Sequence, residues 1–341
     1  MEDQPRQVQL RSAPAKPLYD PVWPPRRPWR TIMRVFMAML LVPLCGLLAY
    51  GIYLVTLVAQ VSSRPLSISG LTADSDGRTN VLLLGVGDPG HDGQNLSDSI
   101  MLLSLSSSVQ RAAQVSIPRD LRVTIPGYGE SKINAANAWG GASLAVSVVS
   151  GTTNQLIDYT ITTDFSGLKT IVDVAGGLDI NVKERLTDSE YPCDDDQYKI
   201  CGLDILPGLQ HMTGTQVLAY ARCRKGTCGN DFGRAKRQQE VISLLRARVV
   251  QPGFWLNPAK LSALARAMHQ FVQTDMSSWQ LVEFAWRWNS YSSKHPVKQL
   301  VLSTAPDGLL VDATGSSDLL PAAGDFSVVQ RRIADIFTDS E

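Results

Sequence analysis

No CxxC pair occurs among the five cysteines, and the four histidines are scattered, so a structural zinc site has no ligand set to build on. Neither sign of charge is in excess. Thirty-two Lys and Arg face 32 Asp and Glu, which excludes a protein that coats nucleic acid non-specifically, since that work needs a net basic field. No internal repeat is visible. The low hydrophobicity and high net charge of a disordered chain are not found either: 44% hydrophobic and 19% charged residues describe a globular composition. At 341 residues there is room for one large domain or two small ones.

What is present is unevenly distributed. Residues Val35 to Val61, VFMAMLLVPLCGLLAYGIYLVTLVAQV, carry no charge. At about 1.5 Å per residue this run exceeds the roughly 30 Å of a bilayer core, and a membrane helix tolerates its Pro43. A cleaved signal peptide has a shorter apolar core and a small-x-small site to end it, which this stretch lacks. Arg26, Arg27, Arg30 and Arg34 precede the run and only Arg64 follows closely. The bias of positive charge therefore predicts a single-pass protein of the cell membrane, with its N-terminus in the cytoplasm and the remainder extracytoplasmic. Four segments are expected: a Pro/Arg-rich tail (1–34), the span (35–61), a polar linker (62–79) and an α/β domain (80–341). Cys45 falls in the span. Cys193, Cys201, Cys223 and Cys228 fall beyond it, an even number in an oxidising compartment, where disulfides form. Three pairings are open; Cys193–Cys201 and Cys223–Cys228 are the nearest neighbours.

From Asn80 onward, short apolar strands alternate with helices: NVLLLGVG, SIMLLSLS and AAQVSIP, then a helix from GGASLAVSVVSG, the strand IDYTITT, the helix FSGLKTIVDVAGG and the strand LDINV. Thr213 is placed to cap a helix, and a long helix follows from about Phe232 to Val250. More helix fills Pro258 to Asn289, with a strand at Val297 to Ser303 and a last helix near Phe326 to Phe337. The expected fold is α/β, a central mixed sheet flanked by helices on both faces.

GVGDPG (85–90) matches the dinucleotide fingerprint by letter only. That fingerprint needs a helix to open at its last glycine, whereas GHDGQNLS is turn chemistry. The loop is read instead as the carrier of Asp88 and Asp92. Asp98 stands at the mouth of the next strand, where a carboxylate could reach a magnesium ion completed by substrate phosphates. Pro118 ends a strand, so Arg119 projects from its carboxyl end, where ligand sites gather in α/β sheets. Lys132 and Asn134 are polar lining or ordinary loop residues.

The stretch from Ala219 to Glu240 packs six basic residues beside two cysteines. Arg222 and Arg224, if on extended chain, share a face. Asp231 can cap the following helix, on which Arg234, Gln238, Val241 and Leu245 form one stripe. Arginine on an inward stripe is costly unless an anion pairs with it, and guanidinium forks suit phosphate.

Taken in order, LLLGVGD, SDSIMLLSLS, VSIPRDLRVTIPGYGESKINAANAWGG, YTITTDFSGLKTIVDVAGGLDINV, LDILPGLQHMTGTQVLAYARCR and NDFGRAKRQQEVI resemble the LytR-CpsA-Psr family, from about Asn80 to Val250. The resemblance implies a membrane-anchored phosphotransferase that moves a glycopolymer from a polyprenyl pyrophosphate lipid onto peptidoglycan. It implies that Arg119, Arg222, Arg224, Arg234 and Gln238 hold the pyrophosphate and that Asp98 and Asp88 engage magnesium or act as base. Asp231, Lys132 and Asn134 support that constellation. It also implies an apolar pocket for the prenyl chain, for which the two helices between Gly141 and Ala175 are candidate walls. One position departs from the family pattern: Leu96 stands where an arginine is usual, with Arg122 or Lys132 as candidate substitutes. A non-catalytic sensor of the same lipid, and a polyprenyl pyrophosphatase, are the alternative functions. No nucleic acid partner is expected.

Overall fold

A computed structural model describes residues 29–61, 70–72, 77–90, 93–193, 199–304 and 308–338. Most of the N-terminal tail and linker, Asp92, and residues 194–198 of the acidic loop between Cys193 and Cys201 lie outside the described residues. Helix α1 (Trp29–Val61) runs unbroken through Pro43. Its segment Met39–Ala59, with mean hydropathy 2.1, is the one helix among the described residues long and apolar enough to cross a membrane.

The domain opens with strands β1 (Arg78–Val86), β2 (Ser97–Ser106) and β3 (Arg111–Ile117), a hairpin of β4 (Arg122–Ile125) and β5 (Gly129–Lys132), helix α2 (Ala135–Thr153), β6 (Tyr159–Thr163) and α3 (Phe165–Ala175). Next come β7 (Leu178–Val182), β8 (Leu186–Asp188), β9 (Leu203–Ile205), β10 (Gly208–Met212), α4 (Gly214–Arg222) and α5 (Asp231–Val249). The chain closes with α6 (Pro252–Trp255), α7 (Pro258–Phe271), β11 (Val272–Thr274), α8 (Ser278–Lys294), β12 (Lys298–Val301), β13 (Leu310–Asp312), β14 (Leu319–Pro321) and α9 (Ser327–Ala334).

Six strands make the central sheet in the order β11-β6-β1-β2-β3-β12. It is mixed: β1–β2–β3 is an antiparallel meander, while β6 and β12 join it in parallel. Period-two alternation divides the strands between two cores, because successive side chains leave opposite faces. Leu82, Leu84, Ile100, Leu102, Val115 and Ile117 pack with α2 and α9, whereas Val81, Met101, Leu103 and Leu105 pack with Phe284 and Trp288 of α8. A third cluster, built from α3, β7, α4 and Val241 of α5, holds both cysteines Cys223 and Cys228. The strand LDINV (β7) therefore pairs with β10 outside the central sheet.

This topology brings several chain ends to one edge. β1, β3 and β6 finish there and β2 begins there, with Gly85 opposite Thr163 and Ile117 opposite Ile100. The glycine loop after β1 leads into the antiparallel β2, not into a helix, so the dinucleotide reading is correctly refused. Disulfides join Cys193 to Cys201 and Cys223 to Cys228, the nearest-neighbour pairing.

Candidate functional site

At that edge lies a cavity of about 200 Å³ whose wall includes Asp98, Ser99, Arg119, Arg222, Arg224 and Arg234. Each arrives from a different local cause. Arg119 follows Pro118, which cannot continue β3. Asp98 is the second residue of β2. Arg222 is the last residue of α4, a helix started by a Thr213–Gln216 capping box, and Arg224 follows on the loop beyond. The two arginines are thus not both on extended chain, the condition under which their spacing would give them a shared face; the helix end and the loop after it bring both to the cavity. Asn230, not Asp231, caps α5, its Oδ1 accepting from the amides of Phe232 and Gly233. Asp231 instead sits 2.9 Å from Nη2 of Arg234 as an i,i+3 ion pair.

The charges on this wall do not cancel. Among the described residues, five cationic side chains (Arg119, Arg222, Arg224, Lys225, Arg234) meet three carboxylates (Asp98, Asp188, Glu190), and each of those carboxylates already has a partner. Nη1 of Arg119 donates to Oδ1 of Asp98 at 2.5 Å. Lys225 pairs with Glu190. Asp188 is buried and spends both oxygens on backbone: Oδ1 accepts from the Glu190 amide at 3.0 Å, Oδ2 from those of Lys225 at 3.1 Å and Arg224 at 3.3 Å. Among the described residues no carboxylate lies within ion-pair distance of the Arg222 or Arg224 side chains. The Arg222 guanidinium rests 4.4 Å from the ring centre of Phe165 and 5.7 Å from that of Tyr191, which orients it without neutralising it.

Burial, with repulsion from Arg119 and Arg224, lowers the Arg234 guanidinium to about 10 despite Asp231 and Asp98. Burial works against the charge of Arg119 as well, but Asp98, Asp231 and Asp120 together more than offset it and raise its pKa. An anion entering the cavity would relieve the strain on Arg234. Gln238 completes this wall, its Oε1 accepting from Ser99 Oγ at 2.9 Å.

A second cavity of about 100 Å³ adjoins the first and shares Ser99, Phe165, Arg222 and Gln238 with it. Its other walls are mostly apolar, including Leu83, Leu168, Leu218, Ala221, Val241 and Ile242. Of the two helices between Gly141 and Ala175 only α3 contributes to it; the buried side of α2 belongs to the core with α9. Asp164 closes one end, its pKa raised by burial and held back by the Gly167 amide it caps.

The remaining expected residues stand around the cavity, not on it. Asp88 accepts from the Ser166 amide at 2.7 Å, which ties the glycine loop to the start of α3. Lys132 donates to Asp120 at 2.6 Å and to Ser317, and Arg122 pairs with Asp318 at 2.9 Å. Neither replaces the arginine absent at Leu96, whose side chain packs against the core with α2. Asn134 acts through its backbone: its amide donates to the Arg119 carbonyl and its carbonyl accepts from Ser97, joining the loops that carry Arg119 and Asp98.

Three features escape the sequence pattern. Phe165 and Tyr191 form the aromatic bed of Arg222. Asp188 organises the 224–225 backbone. Asp188→Ala should therefore destabilise the fold by about 2 kcal/mol through three lost hydrogen bonds to a buried carboxylate, and urea unfolding of the variant checks it. The third is Arg237, buried one turn beyond Arg234, which donates to the carbonyls of Tyr220 and Cys228 at 3.0 Å and to that of Cys223. It holds the disulfide loop against the end of α4. Only its spacing of three from Arg234 hinted at an inward position.

The LytR_cpsA_psr family model matches residues 56–319. The chain belongs to this family. As a LytR_cpsA_psr protein it is 38% identical over 164 residues to a polyisoprenyl-teichoic acid–peptidoglycan teichoic acid transferase, TagU, of Bacillus anthracis, covering 48% of the chain and 50% of the relative. It is 31% identical over 204 residues to the regulatory protein MsrR of Staphylococcus aureus, covering 59% of the chain and 58% of the relative. The chain thus spans about half the length of the curated relatives it matches. The solved structure of B. subtilis TagV shares the fold, with TM-score 0.61 and 24% identity, covering 79% of this chain and 100% of the solved one.

Proposed function

We propose that this protein is a membrane-anchored phosphotransferase that moves a glycopolymer from a polyprenyl pyrophosphate donor to peptidoglycan. The observation that carries the reading is the joined pair of cavities. Among the described residues, one is cationic beyond what its own carboxylates balance, the other is mostly apolar, and Arg222 and Gln238 stand at their junction. A molecule fitting both has a diphosphate head and a hydrocarbon tail, the amphipathic chemistry of a lipid-linked sugar. The name of TagU, a transferase of that kind, supports the same reading.

In this reading Arg119, Arg222, Arg224 and Arg234 bind the diphosphate through charge-assisted hydrogen bonds, and Gln238 adds a neutral contact. A sugar hydroxyl of the acceptor attacks the phosphorus next to the glycan. The bond from that phosphorus to the bridging oxygen breaks, and prenyl phosphate leaves with the electron pair. The arginines stabilise the negative charge that builds on the phosphoryl oxygens, which is where such reactions obtain most of their rate.

The residues fit a magnesium ion of the substrate-completed kind. No group of three His, Cys, Asp or Glu among the described residues gathers to hold a metal, but magnesium needs only one or two carboxylates when phosphates complete its shell. Asp98 would hold it, since Arg119 engages only one carboxylate oxygen, and Asp88 is the second candidate. Magnesium would supply further charge neutralisation on the phosphoryl oxygens. An acidic group in the same position can take the proton of the attacking hydroxyl. Helix α1 would span the cell membrane, its arginine-flanked start in the cytoplasm and the domain outside.

The test uses the full-length protein in detergent with a radiolabelled glycan on a polyprenyl pyrophosphate donor and soluble peptidoglycan fragments. Magnesium-dependent transfer of label to the fragments is expected. Binding of donor without transfer would replace this reading with that of a non-catalytic lipid-binding sensor or regulator; MsrR, one of the relatives, is named a regulatory protein. Release of label to water, with peptidoglycan ignored, would make the protein a pyrophosphatase.

A further inference from the structure

One exposed aromatic pair belongs to neither core nor cavity. Tyr128 and Trp139 stack with ring centres 4.9 Å apart and planes 26° from parallel, while remaining 55% and 41% exposed. Two large rings left in water in a stacked arrangement are not explained by burial, which they forgo.

The backbone under both residues is built to hold them out. Tyr128 closes a turn in which its amide donates to the Ile125 carbonyl, with Pro126 and then Gly127 at φ 81° between them. Proline followed by a glycine in the left-handed region is the sequence a type II turn requires. Trp139 ends the first stretch of α2, where Gly140 and Gly141 leave helical geometry, Gly141 at φ 65°. A Cβ at Gly140 would lie 2.6 Å from the Leu144 side chain, so neither glycine can be replaced cheaply. The Tyr128 hydroxyl then donates to the Trp139 carbonyl at 3.1 Å and locks the two loops together.

The pair is also tied to the cavity rim. Asn137, two residues before Trp139, donates to the Asn95 carbonyl at 2.9 Å, and the Asn134 carbonyl accepts from Ser97. From Asn95 to Asp98 is three residues, at most about 10 Å of chain. The exposed aromatic pair is therefore tied to the short stretch of chain that leads to Asp98 on the cavity wall.

We propose that Tyr128 and Trp139 form a carbohydrate subsite that receives a pyranose ring of the acceptor glycan strand. Sugars present one face of C–H bonds, which carry partial positive charge and stack on the negative face of an aromatic ring. Their hydroxyl edges stay in water, which matches a site that is open and not enclosed. Naming a glycan strand as the ligand rests on the function proposed above; the rigid aromatic platform does not.

The experiment is calorimetric titration of the full-length protein in detergent with soluble strands of alternating N-acetylglucosamine and N-acetylmuramic acid. Trp139→Ala should weaken binding about tenfold, and Tyr128→Ala similarly, with binding of a polyprenyl diphosphate unchanged. Tyr128→Phe keeps the stack and should stay within about twofold of wild type. Wild-type affinity in Trp139→Ala, no glycan binding by the wild type, or parallel loss of glycan and diphosphate affinity would each overturn the subsite. A protein that binds these strands through Trp139 yet transfers nothing keeps the subsite and loses the transferase reading.

Discussion

Arg222→Ala combined with Arg224→Ala should leave the unfolding midpoint unchanged or slightly raised while diphosphate binding falls by roughly 10² to 10⁴-fold. The binding side follows from two charge-assisted hydrogen-bonding groups at about 1.5–3 kcal/mol each, with every 1.4 kcal/mol a factor of ten. The stability side follows from what the arginines lack. Neither has a carboxylate partner among the described residues, so the double variant strands no buried anion. It also removes Arg224, one of the charges that holds the Arg234 guanidinium down near 10, and relieves that repulsion. Stability and affinity therefore move independently. Calorimetric titration with a short-chain polyprenyl diphosphate, paired with thermal unfolding, measures both. A large drop in the midpoint with unchanged affinity would mean that these side chains serve the fold, and the proposed anion site would fail.

Arg237→Met should do the reverse in origin and reach the site only indirectly. Its guanidinium is buried, its pKa is lowered by that burial, and it is held by three main-chain carbonyls. The end of α4 offers the Tyr220 and Cys223 carbonyls because the last turn of a helix has no amides left to use them, and its dipole favours a cation there; the Cys228 carbonyl comes from the disulfide loop. Methionine fills the volume and leaves the acceptors unsatisfied, a loss of about 3 kcal/mol or more in unfolding free energy. The loop from Cys223 to Cys228 would then loosen, raising amide exchange across it and weakening diphosphate binding through Arg222 and Arg224. Arg237→Lys should recover only part of the loss, because a single ammonium cannot span a fan of acceptors. Equal stability of the methionine variant and wild type would refute the role.

The Arg222–Arg224 pair and Arg237 mark the limit of reading a linear pattern. The inward stripe of Arg234, Gln238 and Val241 is visible because helical period alone sets it, and the structure buries Arg234 and Val241 as expected. Arg119 is placed by a neighbouring proline and the end of an apolar strand, both local signals. By contrast, Lys132 and Arg122 looked like candidates for the cavity and are not. Asp120 claims Lys132 and Asp318 claims Arg122, and a partner 196 residues away for Arg122 is invisible to any window. The cap of α5 went to Asn230 in place of Asp231 for a similarly small reason: either side chain can cap, and only the entry angle of the chain decides.

Composition, periodicity and the ordered motifs by themselves determined the apolar span, the mixed α/β architecture, the strand ends at which ligand-binding side chains collect, and the kinship with a family. These depend on short-range sterics and on burial, which act within a few residues of chain. Only the tertiary structure decided which cations lack a carboxylate partner among the described residues, that an apolar cavity opens beside them, and that Tyr128 meets Trp139. Each of those is a statement about what is absent or present across space, and electrostatic balance and packing are settled by neighbours that the chain order does not reveal.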